Sequence, residues 1–328
     1  ASGFPFMAFR LRIDEPIEKG FRRIGAEQIE RARRQLAANA DPATAVHEAR
    51  KCLKRIRALL RLGRDGLGES VFRAENAQFR AIAASLASAR DDHVLVETIV
   101  KLTAEDDGRL AATLGRLKAA VLANRTPETA TAAAGRAEAD AALEHAARGF
   151  KRLRIVPNSF ATLERGLLRN YRKALKCRDL AYAEGTDEAF HEWRKCVQTY
   201  WRHMALLSRA WPALFEVHIE AARALSQTLG DDHDLALLRQ RLATLPAGVL
   251  PSDDVRAIEA LIAARQGALR RSAKAQGEMI FAERPKAIGR RLTAVWESAV
   301  RASREKAPAQ KAEPAKRARA KLSAQAGG

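Results

Sequence analysis

AVHEARKCLKRIRALLRL, residues 45–62, has two faces. Laid on a helix at about 100° per residue, His47, Arg50, Lys54, Arg57 and Arg61 fall on one narrow stripe, with Lys51 and Arg55 beside it. Val46, Ala49, Cys52, Leu53, Ile56, Leu59 and Leu60 fill the opposite arc. The apolar arc calls for a core, the cationic stripe for an anion. AFHEWRKCVQTYWRHMALL, residues 189–207, restates the pattern 144 positions later (191 minus 47), with His191, Glu192, Arg194, Lys195 and Cys196 matching His47, Glu48, Arg50, Lys51 and Cys52. Two copies of H-E-x-R-K-C imply an internal duplication.

The surrounding chain is built of the same material. Hydrophobic residues make up 47% and aromatic residues only 5% of its 328 positions, and the apolar positions keep helical rather than alternating spacing. The fold is therefore predicted to be all-α. Net charge is +19, and residues 301–328 carry eight Lys and Arg against two Glu, so +6 sits in the tail and +13 (19 minus 6) in the rest. Such a balance points to a polyanion: nucleic acid, an acidic membrane surface or inorganic polyphosphate. Three cysteines give no disulfide framework, and Cys52 and Cys196 read as small core residues of a reducing compartment. With no run of 18 apolar residues and no signal-peptide core in the first 30, a cytoplasmic protein that does not enter a membrane is expected.

Punctuation sets the helices. Asp14-Glu15-Pro16 opens one that runs to about Ala38, and Asp41-Pro42 opens the stripe helix, which Gly63 to Gly68 closes. A third is expected over about 69–89, leading into Arg90-Asp91-Asp92-His93 and a helix through VLVETIVKL; segments at about 107–123 and 127–151 follow. Val156-Pro157-Asn158-Ser159 divides a first half, 15–156, from a second, 157–302. The second half is read as a helix up to Gly185 bearing Arg165, Arg169, Arg172, Lys173 and Lys176, then helices at about 186–209 and 212–229. A break at Gly230-Asp231-Asp232 follows, with Asp234, like Asp91, as an N-cap or a partner of the basic side chains, and then segments at about 234–244, 253–275 and 284–302. Residues 303–328, and from Lys306 above all, lack apolar periodicity and are expected to be disordered.

A second pair of signatures aligns SLASARDDHVL, 85–95, with TLGDDHDLALL, 228–238, at an offset of 143, pairing Arg90 with His233. The four motifs in order, H-x-x-R-K-x-x-K-R-x-R from His47, R-D-x-x-V from Arg90, H-x-x-R-K from His191 and L-G-x-x-H-D from Leu229, resemble the conserved histidine α-helical domain, CHAD, over roughly residues 15–302. The resemblance implies two similar four-helix bundles related by a pseudo-twofold axis, a basic central cavity, and binding of inorganic polyphosphate without catalysis, in some relatives at polyphosphate granules. It carries the binding role to His47, Arg50, Lys51, Lys54, Arg57, Arg90, His191, Arg194 and Lys195. Arg61, Arg202 and the bases Arg169, Arg172 and Lys173 are added from the helical spacing alone. The second copy departs from the first, with Gln198 and Trp201 where Lys54 and Arg57 would repeat.

Each of these features also has a plain structural explanation. A basic helix face is often only solvated, a lone histidine often only a hydrogen-bond donor, and Trp193 and Tyr200 lie on the apolar arc. A metal phosphohydrolase built on His47, Asp91, Asp92, His93, His191 and the His233-Asp234 doublet is disfavoured, because Arg and Lys surround these histidines and would repel a divalent cation. No cofactor or catalytic residue is expected. Nonspecific nucleic-acid binding, weak and through the tail, is the main alternative; the stripes have few interleaved aromatics for base stacking.

Overall fold

The computed structural model describes residues 9–38, 41–86, 91–106, 108–124 and 130–325, with side chains except at 91–93, 130–133 and 306–325. Among these residues there are twelve helices and no strand. The first six are α1 (Ile17–Ala37), α2 (Pro42–Leu62), α3 (Arg64–Leu67), α4 (Glu69–Ser85), α5 (Asp91–Glu105) and α6 (Ala111–Ala123). They are followed by α7 (Ala130–Phe150), α8 (Phe160–Glu184), α9 (Asp187–Leu207), α10 (Pro212–Thr244), α11 (Ser252–Ile280) and α12 (Pro285–Gln325).

The ends follow local chemistry. Asp41 caps α2 by accepting the Thr44 N–H at 2.8 Å, with Pro42 in the first turn, where a missing N–H costs nothing. Thr186 caps α9 through the Ala189 N–H at 3.3 Å, and Gly185 ends α8 in the left-handed region at φ 69°.

Two of the expected boundaries are corrected. Helix α10 runs unbroken through Gly230, so Asp234 is an interior residue and not an N-cap. The tail expected to be disordered continues α12 as helix to Gln325. Ala, Lys and Arg are strong helix formers, and loss of apolar periodicity removes packing rather than helicity.

Packing partners run in parallel through the chain. Helix α1 lies on α2 and α7, α2 on α4, and α5 on α6; α8 lies on α9 and α12, α9 on α10, and α10 on α11. The single helix α10 thus stands where α4 and α5 stand in the first series. Helix α2 also packs on α8 and α9, which joins the two series. Neither hydrophobic core belongs to one half. The larger draws on α1, α2, α4 and α7 together with α8, α9, the start of α10 and α12, with Phe21, Phe79, Leu53, Trp193 and Tyr200 fully buried. The smaller closes Leu95, Ile99 and Leu102 of α5 and Leu114, Leu117 and Val121 of α6 over Leu235, Leu238 and Leu242 of α10 and Ile258 and Ile262 of α11. Burial of each such side chain contributes about 1.5–3 kcal/mol, so both cores resist separation of the halves.

A buried basic junction between α2, α9 and α10

Helix α8 crosses the end of α2 at Gly166, where a Cβ would stand 2.1 Å from the Leu62 carbonyl oxygen. Buried His203 of α9 takes the Ala58 carbonyl of α2 with Nε2 at 3.0 Å. With α2 held against α8 and α9 in this way, Arg55 and Arg61 of α2 lie near Arg202 of α9.

Arg202 of α9 lies at the centre, only 7% exposed. Its Nη1 donates to the Gln198 carbonyl at 2.6 Å and its guanidinium lies 4.2 Å from the Trp201 ring centre, while its Nε is buried without a partner. Burial, and then Arg55, Arg61, Arg223 and Arg194, push its pKa down to about 9. The four largest charge effects on it all come from arginines. The Arg223 guanidinium of α10 also lies over the Trp201 indole, 4.8 Å from the ring centre.

About three turns back on α9, His191 stacks on His233 of α10 with ring centres 3.9 Å apart. Burial, the neighbouring His233, Lys195 and Arg194 hold His191 down to about 3; burial, Arg194 and Lys195 hold His233 to about 4, with Lys54 of α2 acting in the same direction. Both rings are neutral near pH 7 and sit inside positive potential. Arg194 lies across Gly230, whose Cβ would be 2.8 Å from Nη2, so the absence of a side chain there makes room for the guanidinium.

The carboxylates near the stripes are already engaged. Lys51 pairs with Glu48 at 2.6 Å and Lys195 with Glu192 at 2.5 Å, the same i, i+3 pair at matching places in the two copies. Burial would raise Glu192, but the hydrogen bond from Lys195, with Lys195 and Lys173 as nearby charges, lowers it. Asp187 at the start of α9 is held by Arg239 and, at 2.6 Å, by Arg270, which also takes buried Asp232 at 2.8 Å. That network fixes α9, α10 and α11 behind the histidine pair.

Of the sequence-predicted residues, Lys54, Arg61, His191, Arg194, Lys195 and Arg202 gather at this junction, and Lys173 reaches its edge through Glu192. His47 and Lys51 lie at its Glu48 end. Arg50 turns to the end of α4, donating to the Leu86 carbonyl at 3.2 Å, and Arg57 donates to Asn76 of α4 at 3.2 Å. Burial, then Arg61 and Arg80, lower Arg57 to about 10. Arg169 faces away and pairs with Asp65 at 2.6 Å, and Arg172 is exposed on α8. Arg90 lies outside the described residues. Arg55, read as flanking the stripe, is buried against Gln28 at 3.3 Å. Missing from the sequence reading were Arg223 and His233 as site residues, although 223, 230 and 233 share one face of a continuous helix. Among the described residues no group of three or more His, Cys, Asp or Glu is placed to hold a metal, and no helix is long and apolar enough to cross a membrane.

The CHAD domain family model matches residues 23–243, about two-thirds of the chain, including both H-E-x-R-K-C copies and the Gly230–His233 turn of α10. The chain belongs to the CHAD domain family. A crystal structure of the CHAD domain from the plant Ricinus communis is similar to this CHAD protein with a TM-score of 0.51 and 20% identity, covering 87% of this chain and 98% of that one, which supports the all-helical fold. No curated protein matches. CHAD domains are linked to polyphosphate.

Proposed function

We propose that this CHAD protein binds inorganic polyphosphate along α2 and α9 and does no chemistry on it. The observation that supports the reading is Arg202: a buried guanidinium whose four strongest charged influences are arginines and which, among the described residues, has no carboxylate hydrogen-bonded to it. Charges of one sign are costly inside a protein unless an anion balances them. A polyphosphate chain offers about one negative charge per phosphoryl unit and no base edges, so it needs closely spaced cations and little else. The stretch from His47 to Arg61 is about 21 Å long at 1.5 Å per residue, enough to follow several phosphates. Arginines supply paired N–H donors and lysines point charges, so a mixed stripe can follow a flexible anion. The same reading places the protein with polyphosphate granules in the cytoplasm, which a fluorescent fusion would reveal.

Fluorescence anisotropy with end-labelled polyphosphate near physiological salt tests the proposal. Lys54→Gln and Arg194→Gln should each raise Kd by about tenfold, the equivalent of about 1.4 kcal/mol. If DNA displaces the polymer at equal charge concentration, or if the protein releases phosphate from the polymer with Mg²⁺ or Mn²⁺ present, the reading is wrong in specificity or in its non-catalytic part respectively.

A further inference from the structure

Cys177 of α8 and Cys196 of α9 face each other with sulfurs 3.6 Å apart, and the basic junction has no use for either. The Cys196 S–H donates to the Cys177 sulfur. Cys177 is 9% exposed, close to the exposed Lys173 and Lys176, whereas Cys196 is buried at 3%. The hydrogen bond from Cys196, followed by the charges of Lys173 and Lys176, pulls the Cys177 thiol toward thiolate despite burial; Cys196 is pushed the other way. One sulfur is thus poised as the nucleophile and the other supplies the proton. The backbones are already fixed here, since Asn170 of α8 donates to the Cys196 carbonyl at 3.3 Å. Shortening the sulfur separation to the bonded value of about 2.05 Å needs a side-chain movement of only about 1.5 Å.

We infer that Cys177 and Cys196 form a reactive dithiol that a hydroperoxide closes into a disulfide, pinning α8 to α9. The Cys177 thiolate attacks the peroxide, breaking the O–O bond and forming a sulfenic acid; the released oxygen takes a proton and leaves as water or alcohol. Cys196 then attacks the sulfenic sulfur, the S–S bond forms, and the hydroxyl departs as water with the Cys196 proton. Two electrons pass from the thiols to the peroxide, and two protons are consumed in the products. The first half supplies an internal control. Cys52, the counterpart of Cys196, is buried and has no second thiol, because the position 144 residues before Cys177 is Arg33. The inference does not depend on what binds the basic junction.

The test uses the full chain, reduced, desalted and exposed to hydrogen peroxide at neutral pH. Unreacted thiols are then alkylated under denaturing conditions before intact mass and peptide mapping. The wild type should lose two hydrogens, take up one alkyl group at Cys52, yield a linked Cys177–Cys196 peptide and gain a few degrees in Tm, all reversed by dithiothreitol. Cys52→Ala should form the same bridge. Three alkylated cysteines after treatment, oxygen added to Cys177 without a bridge, or a bridge to Cys52 or to a second molecule would each overturn the inference.

Discussion

Arg202 and the two stacked histidines carry a strain of charge rather than of geometry. Replacing Arg202 by Met keeps the volume on Trp201 and removes a buried cation whose charged neighbours are four arginines. The free protein should gain about 1–2 kcal/mol of stability by urea denaturation while its stabilisation by polyphosphate shrinks. A loss of stability without polyphosphate would show that Arg202 is paired after all. The histidines give a pH signature. His191 and His233 lie near 3 and 4 in the folded chain, against an ordinary 6.5. Between these values the unfolded chain binds more protons than the folded one, so stability falls as pH drops from about 6.5 toward 4. Lowered carboxylates such as Asp187 lose their own contribution at the acid end. The difference between wild type and the His191→Gln, His233→Gln double variant isolates the imidazoles. Thermal melts across that range should fall less steeply in the double variant; identical slopes would refute the assignment.

At the scale of helices, Gly166 decides how closely α8 approaches α2. Gly166→Ala improves helix propensity by about 1 kcal/mol, but the added Cβ would sit 2.1 Å from the Leu62 oxygen, so the helices must separate. The clash outweighs the propensity, and a net loss of about 2 kcal/mol is expected as a lower urea midpoint with unchanged m. A midpoint that stays or rises would mean that the crossing is looser than described. Most elements were legible because their signals are local: Asp41-Pro42 starts α2, Gly185 ends α8, and the apolar arc of 45–62 is buried as its spacing requires. Gly230 misled for a tertiary reason, since the glycine that reads as a breaker is interior to α10 and accommodates Arg194. The stripe told which residues share an angle on α2 but not what each meets across the interface. Hence Arg50 and Arg57 turn to α4, and Arg223 and His233, on a helix read as two pieces, went unassigned.

Across the whole molecule, charge and core are organised differently. Each core takes helices from both halves, which no periodicity within one segment could reveal, whereas the positive charge divides between the body and the tail. Residues 306–328 hold six Lys and Arg against Glu313, +5 of the total +19, and leave +14 on the rest (19 minus 5). The two parts should therefore answer to different anions. A linear run of bases neutralises phosphates of any polyanion and releases counterions without reading shape. The α2–α9 junction instead presents partly buried guanidiniums, which salt screens less. Truncation after Glu305 should lower DNA affinity by about tenfold at low salt while changing polyphosphate affinity by less than about twofold. In the truncated protein, polyphosphate at about 100 times Kd should still add about 2.7 kcal/mol to stability, visible as a higher Tm, if the anion binds the folded chain alone. Equal losses for both polymers would place the binding in the tail and overturn the assignment of polyphosphate to the α2–α9 junction.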